Sequence, residues 1–480
     1  MTAVPLQTKF RPIAQSSPMT VVTDGPGSIS GFQSLGYGVL LLYLFLIYSR
    51  IFDVKFSQLH IPGISYRIIM AMVVLARAFQ PSFRHGIGKW MIFLTFWFVA
   101  AIPTSQWRGG SKDLFLSYWL PAFVVFMATS GLIMNFDQVQ KAVKVLAYGF
   151  FVLTLIAWFW GSTEETGRLF LPNGKFSNPN EMAQALLIGM PLWWLMFQEA
   201  KGIGKKVFAA GVVFLMLLMI SKCGSRGAMI SFAATILVVF LRANMMGKMK
   251  LVVGGVVLLS LIVAVTPGKL LRRYQTISSD EGADPIAMMS SDDYDANMQV
   301  SAITSTQHRR QLLQTSIRYT FQHPLFGVGP GMFAVAEDAE MRAQGFHKGS
   351  WQGTHNSYTQ VSSEIGIPAL IAYVMMMVLS LKRSSAIYRQ TRGDPRLASI
   401  AGCALALNYC MIVYAISVFF DYIAYTTMLS VFAGLIMALD LHAPAEIASR
   451  TAVPLDVPIP FEQFKRNLAR RARAHVVQEV

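Results

Sequence analysis

Five polar stretches interrupt an otherwise apolar chain, and their residue types are suited to holding an anion and moving a proton. The first is Gly167-Arg168, followed by Gly174-Lys175-Phe176-Ser177-Asn178-Pro179-Asn180-Glu181. Asn-Pro marks a turn, and Asn180 could cap the helix that follows. Capping accounts for one asparagine; it leaves a second asparagine, Asn178, with Lys175 and Arg168 at the mouth of an apolar run. The second is Gly224-Ser225-Arg226-Gly227-Ala228. Arg226 falls between two apolar runs, where an arginine is costly unless it faces a cavity or a partner. Its planar fork suits phosphate oxygens, although snorkelling to lipid headgroups would also place it there. The third runs from Thr306 through His308-Arg309-Arg310 to His323-Pro324. At helical spacing Arg309, Leu313, Ile317 and Phe321 share one face, and Arg310, Gln314 and Arg318 share another. A solvated surface helix would carry the same pattern. Pro324 ends it.

The fourth stretch is Gly327-Val328-Gly329-Pro330-Gly331. Its glycines could let backbone amides approach an anion or could simply make a tight turn. It lacks the spacing of a dinucleotide fingerprint. The fifth is Thr354-His355-Asn356-Ser357-Tyr358, just before another apolar run. His355 is polar-flanked at a membrane surface and can exchange a proton near neutral pH. The set offers several cationic forks and one imidazole, with no metal-ligand cluster. Asp292-Asp293-Tyr294-Asp295 lacks the glycine and terminal glutamate of a calcium loop and reads as a solvated acidic segment. Arginines in place of a metal suit an anionic lipid head such as a pyrophosphate. They can neutralise charge developing on a leaving phosphate, while a base deprotonates an acceptor hydroxyl.

The elements that must position these residues are membrane helices. Of 480 residues 54% are apolar and 14% charged, against about 25% charged in soluble domains. A span needs about 20 mostly apolar residues. Twelve runs qualify: 35–52, 64–80, 87–103, 114–134, 140–161, 181–198, 207–222, 227–243, 251–267, 364–381, 398–420 and 422–440, the last two divided at Asp421. The expected fold is therefore all-α and polytopic. Residues 35–267 carry nine spans, 268–363 form a long, partly helical periplasmic loop between spans nine and ten, and 364–440 carry the last three. Within the loop, 275–303 reads as mobile and 304–363 as helical and turn-forming. Residues 1–34 are polar and proline-bearing, unlike a secretory signal, and read as a disordered cytoplasmic tail. Residues 441–480 read as a basic cytoplasmic tail. Its 461–473 stretch has an amphipathic helical pattern suited to an anionic inner leaflet.

Charge placement sets the orientation. With the N-terminus cytoplasmic, that side holds 24 of the 41 Lys and Arg residues. The opposite side holds 17, of which 8 lie in the long loop, whose length weakens their topological weight. Both termini are then cytoplasmic. The formal net charge of +16 is a positive-inside signature plus a basic tail, and it gives no reason to expect nucleic acid. Cys223, Cys403 and Cys410 lie in or beside spans and form neither a disulfide framework nor a metal spacing.

The order of these motifs resembles the O-antigen ligase/polymerase superfamily: Gly174–Asn180, Ser225–Ala228, Arg309–Leu313, His323–Phe333 and His355–Gly366, within residues 165–380. The resemblance implies a bacterial inner-membrane glycosyltransferase with its site facing the periplasm. It would move a glycan from a polyprenyl-diphosphate carrier to an acceptor hydroxyl, inverting the anomeric centre without cofactor, metal or nucleotide sugar. In that reading His355, Arg309 and Arg226 are catalytic: His355 is the base, and the two arginines hold the diphosphate. Arg309 is chosen over Arg310 because it lies fifteen residues before Pro324, the family's usual offset. Arg168, Lys175, Asn178, Asn180, Arg310, Arg318, Asn356 and Tyr358 are expected to bind substrate. The partners implied are the lipid-linked donor, a glycan or lipid acceptor and membrane lipids; the oligomeric state stays open. A polymerase of repeat units and a protein O-oligosaccharyltransferase fit the same chemistry. A transporter or flippase is the rival class, but the internal repeats and midplane polar residues expected of one are missing from the sequence. A lipid-phosphate-sugar transferase using Asp53 is the third possibility.

Overall fold

The computed structural model describes residues 31–56, 59, 61–164, 167–172, 176–265, 268, 294–345 and 347–452. Among the described residues each of the twelve apolar runs overlaps helix. The first half comprises α1 (Gly31–Ser49), α2 (Ile51–Val54), α3 (Ile61–Leu75), α4 (Gln80–Arg84), α5 (Gly86–Ala101), α6 (Arg108–Leu114), a π-helical turn at Phe115–Trp119, α7 (Leu120–Gly131) and α8 (Phe136–Trp160). A hairpin of two short strands, β1 (Ser162–Thr163) and β2 (Leu169–Phe170), precedes α9 (Pro179–Glu199), α10 (Ile203–Lys222), α11 (Arg226–Arg242) and α12 (Met245–Val265). Then come α13 (Tyr294–Gln322), α14 (Phe333–Ala343), α15 (Ser357–Ile365), α16 (Ile367–Thr391), α17 (Ala398–Ser417) and α18 (Thr427–Thr451). Among the described residues seven helical segments are long and apolar enough to cross a membrane, and α3 and α5 are shorter apolar helices. The molecule is an all-α polytopic membrane protein with one small hairpin.

Lipid tails give helices little hydrophobic reason to associate, so close contact and internal polar bonds hold them. The core pairs α16 with α17, α9 with α10 and α17, α18 with α7, and α1 with α8. Trp193, Tyr373, Tyr414, Phe126, Phe150 and Phe432 are fully buried there. The Tyr373 and Tyr414 hydroxyls share a hydrogen bond of 2.7 Å. In α17, Asn408 Nδ2 donates to the Leu381 carbonyl at 3.1 Å and to the Ser384 hydroxyl at 2.9 Å, while Arg242 Nη1 donates to its Oδ1 at 3.1 Å.

Several boundaries differ from the sequence expectation. Gly31–Ser34, assigned to the tail, already belong to α1; residues 1–30 lie outside the described residues, as do Lys175, Asp292, Asp293 and the 461–473 helix pattern. Residues 294–303, expected to be mobile, are the start of the 29-residue α13. The span expected at 364–381 is two helices: α15 ends at Ile365, Gly366 turns the chain at φ 96°, and α16 runs on to Thr391. A Cβ at Gly366 would collide with the Leu325 carbonyl, so only glycine admits that packing. The last helix reaches Thr451, through Pro444, beyond the expected end at 440. That proline removes one backbone donor, which helices in bilayers tolerate.

Candidate active site

Three arginines from distant parts of the chain converge at one end of the bundle. Arg168 follows the tip of the hairpin, which is closed by Glu164 N donating to the Arg168 carbonyl at 2.9 Å. Its Nε donates to the Cys223 carbonyl at 3.0 Å and its Nη2 to Asn180 Oδ1 at 2.8 Å. The guanidinium is thereby fixed between the end of α10 and the first turn of α9. Arg226 opens α11 after Ser225, whose hydroxyl accepts from Ala228 N at 3.3 Å. Arg309 lies on α13, partly buried. Burial lowers its pKa first, and the positive charges of Arg168 and Arg226 lower it further, while Asp421 opposes them. Like charges are held together here in a partly dry place. Glu164, 3.9 Å from Arg168, and Asp421 offset part of that charge, and the remaining positive field suits an anionic ligand.

The helix α13 does not pack by the apolar stripe read from its sequence. Ile317 and Phe321 are exposed, whereas Leu312, Ser316, Tyr319 and Thr320 are buried. Thr320 and Ser362 share a hydroxyl hydrogen bond of 2.7 Å that seats α13 on α15. This rotation separates the neighbouring arginines. Arg309 faces the cluster, Arg310 is exposed, and Arg318 turns to α14, where its Nη2 donates to Glu340 Oε2 at 2.8 Å.

His355 stands beside this cluster with φ 51°, the left-handed region that non-glycine residues rarely adopt. The strain is held by Asn356, which caps α15 by accepting from Tyr358 N at 2.9 Å and Thr359 N at 3.1 Å. The imidazole meets the Tyr422 ring edge-on at 5.2 Å between centroids, and its Nε2 lies 3.4 Å from Gln352 Oε1. Burial, then the charges of Arg309 and His308, push its pKa down to about 4. At neutral pH it is uncharged and can accept a proton.

Among the other expected residues, Asn178 rather than Asn180 caps α9: its Oδ1 accepts from Asn180 N at 2.9 Å, with Pro179 in the first turn. The Asn180 side chain is spent on Arg168. Tyr358 belongs to α15, and its hydroxyl donates to the Ala415 carbonyl at 2.8 Å while its ring packs on Phe419 at 4.5 Å. Asp53 is ion-paired to Arg50 at 2.7 Å, and that arginine lies over the Phe176 ring. All three cysteines are buried free thiols.

Two carboxylates escaped the sequence reading. Asp421 is 1% exposed, in the turn between α17 and α18. Its Oδ1 accepts from Tyr422 N at 2.9 Å, while Oδ2 has no hydrogen-bond partner among the described residues. Burial pushes its carboxyl up to about 6, against the pull of the Tyr422 amide and of Arg309. Glu181, in the first turn of α9, and Asp421 both act on the Tyr422 phenol, which burial already raises. The turn lies against α11, where a Cβ on Gly227 would stand 2.7 Å from the Cβ of Phe420. It is stitched to α15 by Ser357, whose N–H donates to the Val418 carbonyl and whose hydroxyl donates to the Asp421 carbonyl, each at 2.8 Å.

The second is Glu364, 4% exposed. It accepts from Gly331 N at 3.0 Å, Phe333 N at 3.4 Å and the Tyr425 hydroxyl at 2.7 Å; burial pushes its carboxyl up to about 7 despite these bonds. The glycine-rich turn thus packs on α15: Val328 N and Gly329 N donate to the Ser363 and Glu364 carbonyls at 2.8 and 3.0 Å. A Cβ at Gly327, where φ is 64°, would strike the Glu364 backbone. Of the two readings open for these glycines, the turn is the one built, and it locks the end of α13 to α15. Among the described residues no group of three or more His, Cys, Asp or Glu side chains could hold a metal ion.

Fold and site together define a polytopic helical membrane protein with an arginine-rich centre and a neutral histidine at one end. The model of the O-antigen ligase family matches residues 210–374, from within α10 to the early part of α16. The matched segment holds Arg226, Arg309 and His355, and the chain is similar to the O-antigen ligase superfamily across it, as the motif order implied. No curated protein matches the chain.

Proposed function

We propose that this protein transfers a glycan from a polyprenyl-diphosphate carrier to an acceptor hydroxyl at the outer face of the bacterial inner membrane. The convergence of Arg168, Arg226 and Arg309 beside a neutral His355 is the observation that supports it. The positive-inside bias of the sequence supports cytoplasmic termini and a periplasmic site.

The donor's diphosphate occupies the arginine cluster, where guanidinium forks pair with its oxygens. That anion offsets the charge depressing His355, so donor binding raises the imidazole's basicity when it is needed. His355 takes the acceptor hydroxyl proton as the acceptor oxygen attacks the anomeric carbon. The bond from that carbon to the diphosphate oxygen breaks, and the polyprenyl diphosphate leaves with the electron pair. Its growing negative charge is met by the arginines, so a metal is unnecessary for that task. Direct displacement inverts the anomeric centre. Asp421 counters part of the positive charge around Arg309.

The acceptor distinguishes ligase, polymerase and protein oligosaccharyltransferase. Deleting the coding sequence and restoring it as wild type or as His355→Ala tests the class. A ligase leaves full-length chains on the carrier in both the deletion strain and the His355→Ala strain. A product of one repeat unit identifies a polymerase. Normal glycans in the His355→Ala strain overturn the role of the base.

A further inference from the structure

One turn past its cap, α9 holds a buried polar group with no hydrogen-bond partner among the described residues. Gln184 is 0% exposed. Neither its Nε2 nor its Oε1 has a hydrogen-bond partner among the described residues. It lies four residues after Asn180, so both sit on one face of α9, and Asn180 is the residue that grips Arg168. The helix α17 packs on α9, and the Ser417 hydroxyl at its end is likewise buried without a partner, as is Asp421 Oδ2. Four of the seven such atoms in the described structure therefore lie on these two packed helices and the turn after them, at the arginine end of the bundle. Buried amides are almost always satisfied, and an orphaned one calls for an occupant.

We propose that Gln184 is a specificity-determining residue for the sugar directly attached to the carrier diphosphate. The inference rests on the donor reading above and deepens it. The amide offers an unused donor and an unused acceptor. A phosphate only accepts, and would leave Oε1 unmet. A sugar hydroxyl or acetamido group both donates and accepts, and satisfies the whole amide. The guanidiniums hold the charged half of the donor, and Gln184, one turn deeper, holds the neutral half. Entry of the sugar requires α9 and α17 to part, because the free protein seals the amide.

The test compares binding of three probes to the purified full-length protein in nanodiscs: polyprenol, bare polyprenyl diphosphate, and polyprenyl diphosphate carrying one N-acetylglucosamine. Wild type should prefer the sugar-bearing probe by about tenfold, the equivalent of one good buried hydrogen bond to the amide. Gln184→Met, of similar volume, should lose that preference, keep its affinity for bare diphosphate, and melt at a higher temperature, because an unsatisfied amide has been replaced by an apolar chain. A preference retained in Gln184→Met, an absence of preference in wild type, an equal loss for both diphosphate probes, or a lower melting temperature would each overturn the proposal. A lower melting temperature would identify a structural amide satisfied by trapped water. Wild type that binds polyprenyl diphosphate no better than polyprenol would instead defeat the donor reading, and this inference with it.

Discussion

The histidine makes the sharpest prediction. An ordinary imidazole titrates near 6.5, whereas His355 is pushed down to about 4 by burial and by the charges of Arg309 and His308. The profile of kcat/KM for the donor reports ionisations of the free enzyme. If His355 must be neutral to act, an unshifted imidazole would leave only about 10% of the rate at a pH about one unit below 6.5. With the pKa at about 4, roughly 97% of His355 remains neutral at that same pH, so the expected difference is about tenfold. The profile of kcat reports the donor complex, where diphosphate offsets the arginines, so its acid limb should lie higher than that of kcat/KM. Burial pushes the Asp421 carboxyl up to about 6, which adds a limb of its own. Histidine-labelled protein, with His355→Gln to assign the resonance, reads the imidazole directly. An imidazole resonance that titrates near 6.5 in the free protein would refute the reasoning.

The remaining predictions follow from particular contacts. Arg226→Lys keeps the charge but loses the fork, and should reduce transfer at least about tenfold, while Arg310→Lys on the exposed side of α13 should leave it nearly unchanged; initial rates at saturating acceptor measure both. Glu364→Ala strands the Gly331 and Phe333 amides and the Tyr425 hydroxyl, and should cost about 1–3 kcal/mol for each group left unpaired, seen as a lower melting temperature. Tyr358→Phe removes the bond to the Ala415 carbonyl and should lower stability by about 1 kcal/mol with donor KM unchanged; a raised KM would show that the hydroxyl serves substrate.

Helix positions were legible because a membrane imposes one rule, an apolar run of sufficient length, and among the described residues helices overlap those runs, seven helical segments being long and apolar enough to cross a membrane. Ends were less legible. The last apolar run ends at 440, but packing carries α18 through Pro444 to Thr451, and the break that Gly366-Ile367-Pro368 suggests is fixed in place by Leu325, whose carbonyl leaves no room for a Cβ at Gly366. At the site, His355 and Arg226 stood out as polar residues at apolar margins. Choosing Arg309 over Arg310 needed the family offset; in the structure α13 buries Leu312, Ser316 and Thr320 rather than Ile317 and Phe321, a rotation that leaves Arg309 partly buried and Arg310 exposed. Asp421 read only as a divider between two runs, and nothing in the run 181–198 singled out Gln184. Each acquires meaning from neighbours far away in sequence. The glycine-rich turn offered two readings, and Glu364 decides between them by taking the amides an anion would have used.

The central claim is glycan transfer from lipid diphosphate by an arginine cluster and a histidine base. Purified protein given a polyprenyl-diphosphate-linked glycan and a lipid-core acceptor, with EDTA present, tests it most directly. The account predicts glycosylated acceptor and free polyprenyl diphosphate in equal amounts, both lost in His355→Ala. Transfer that requires a divalent ion, or that continues undiminished in His355→Ala, would contradict it.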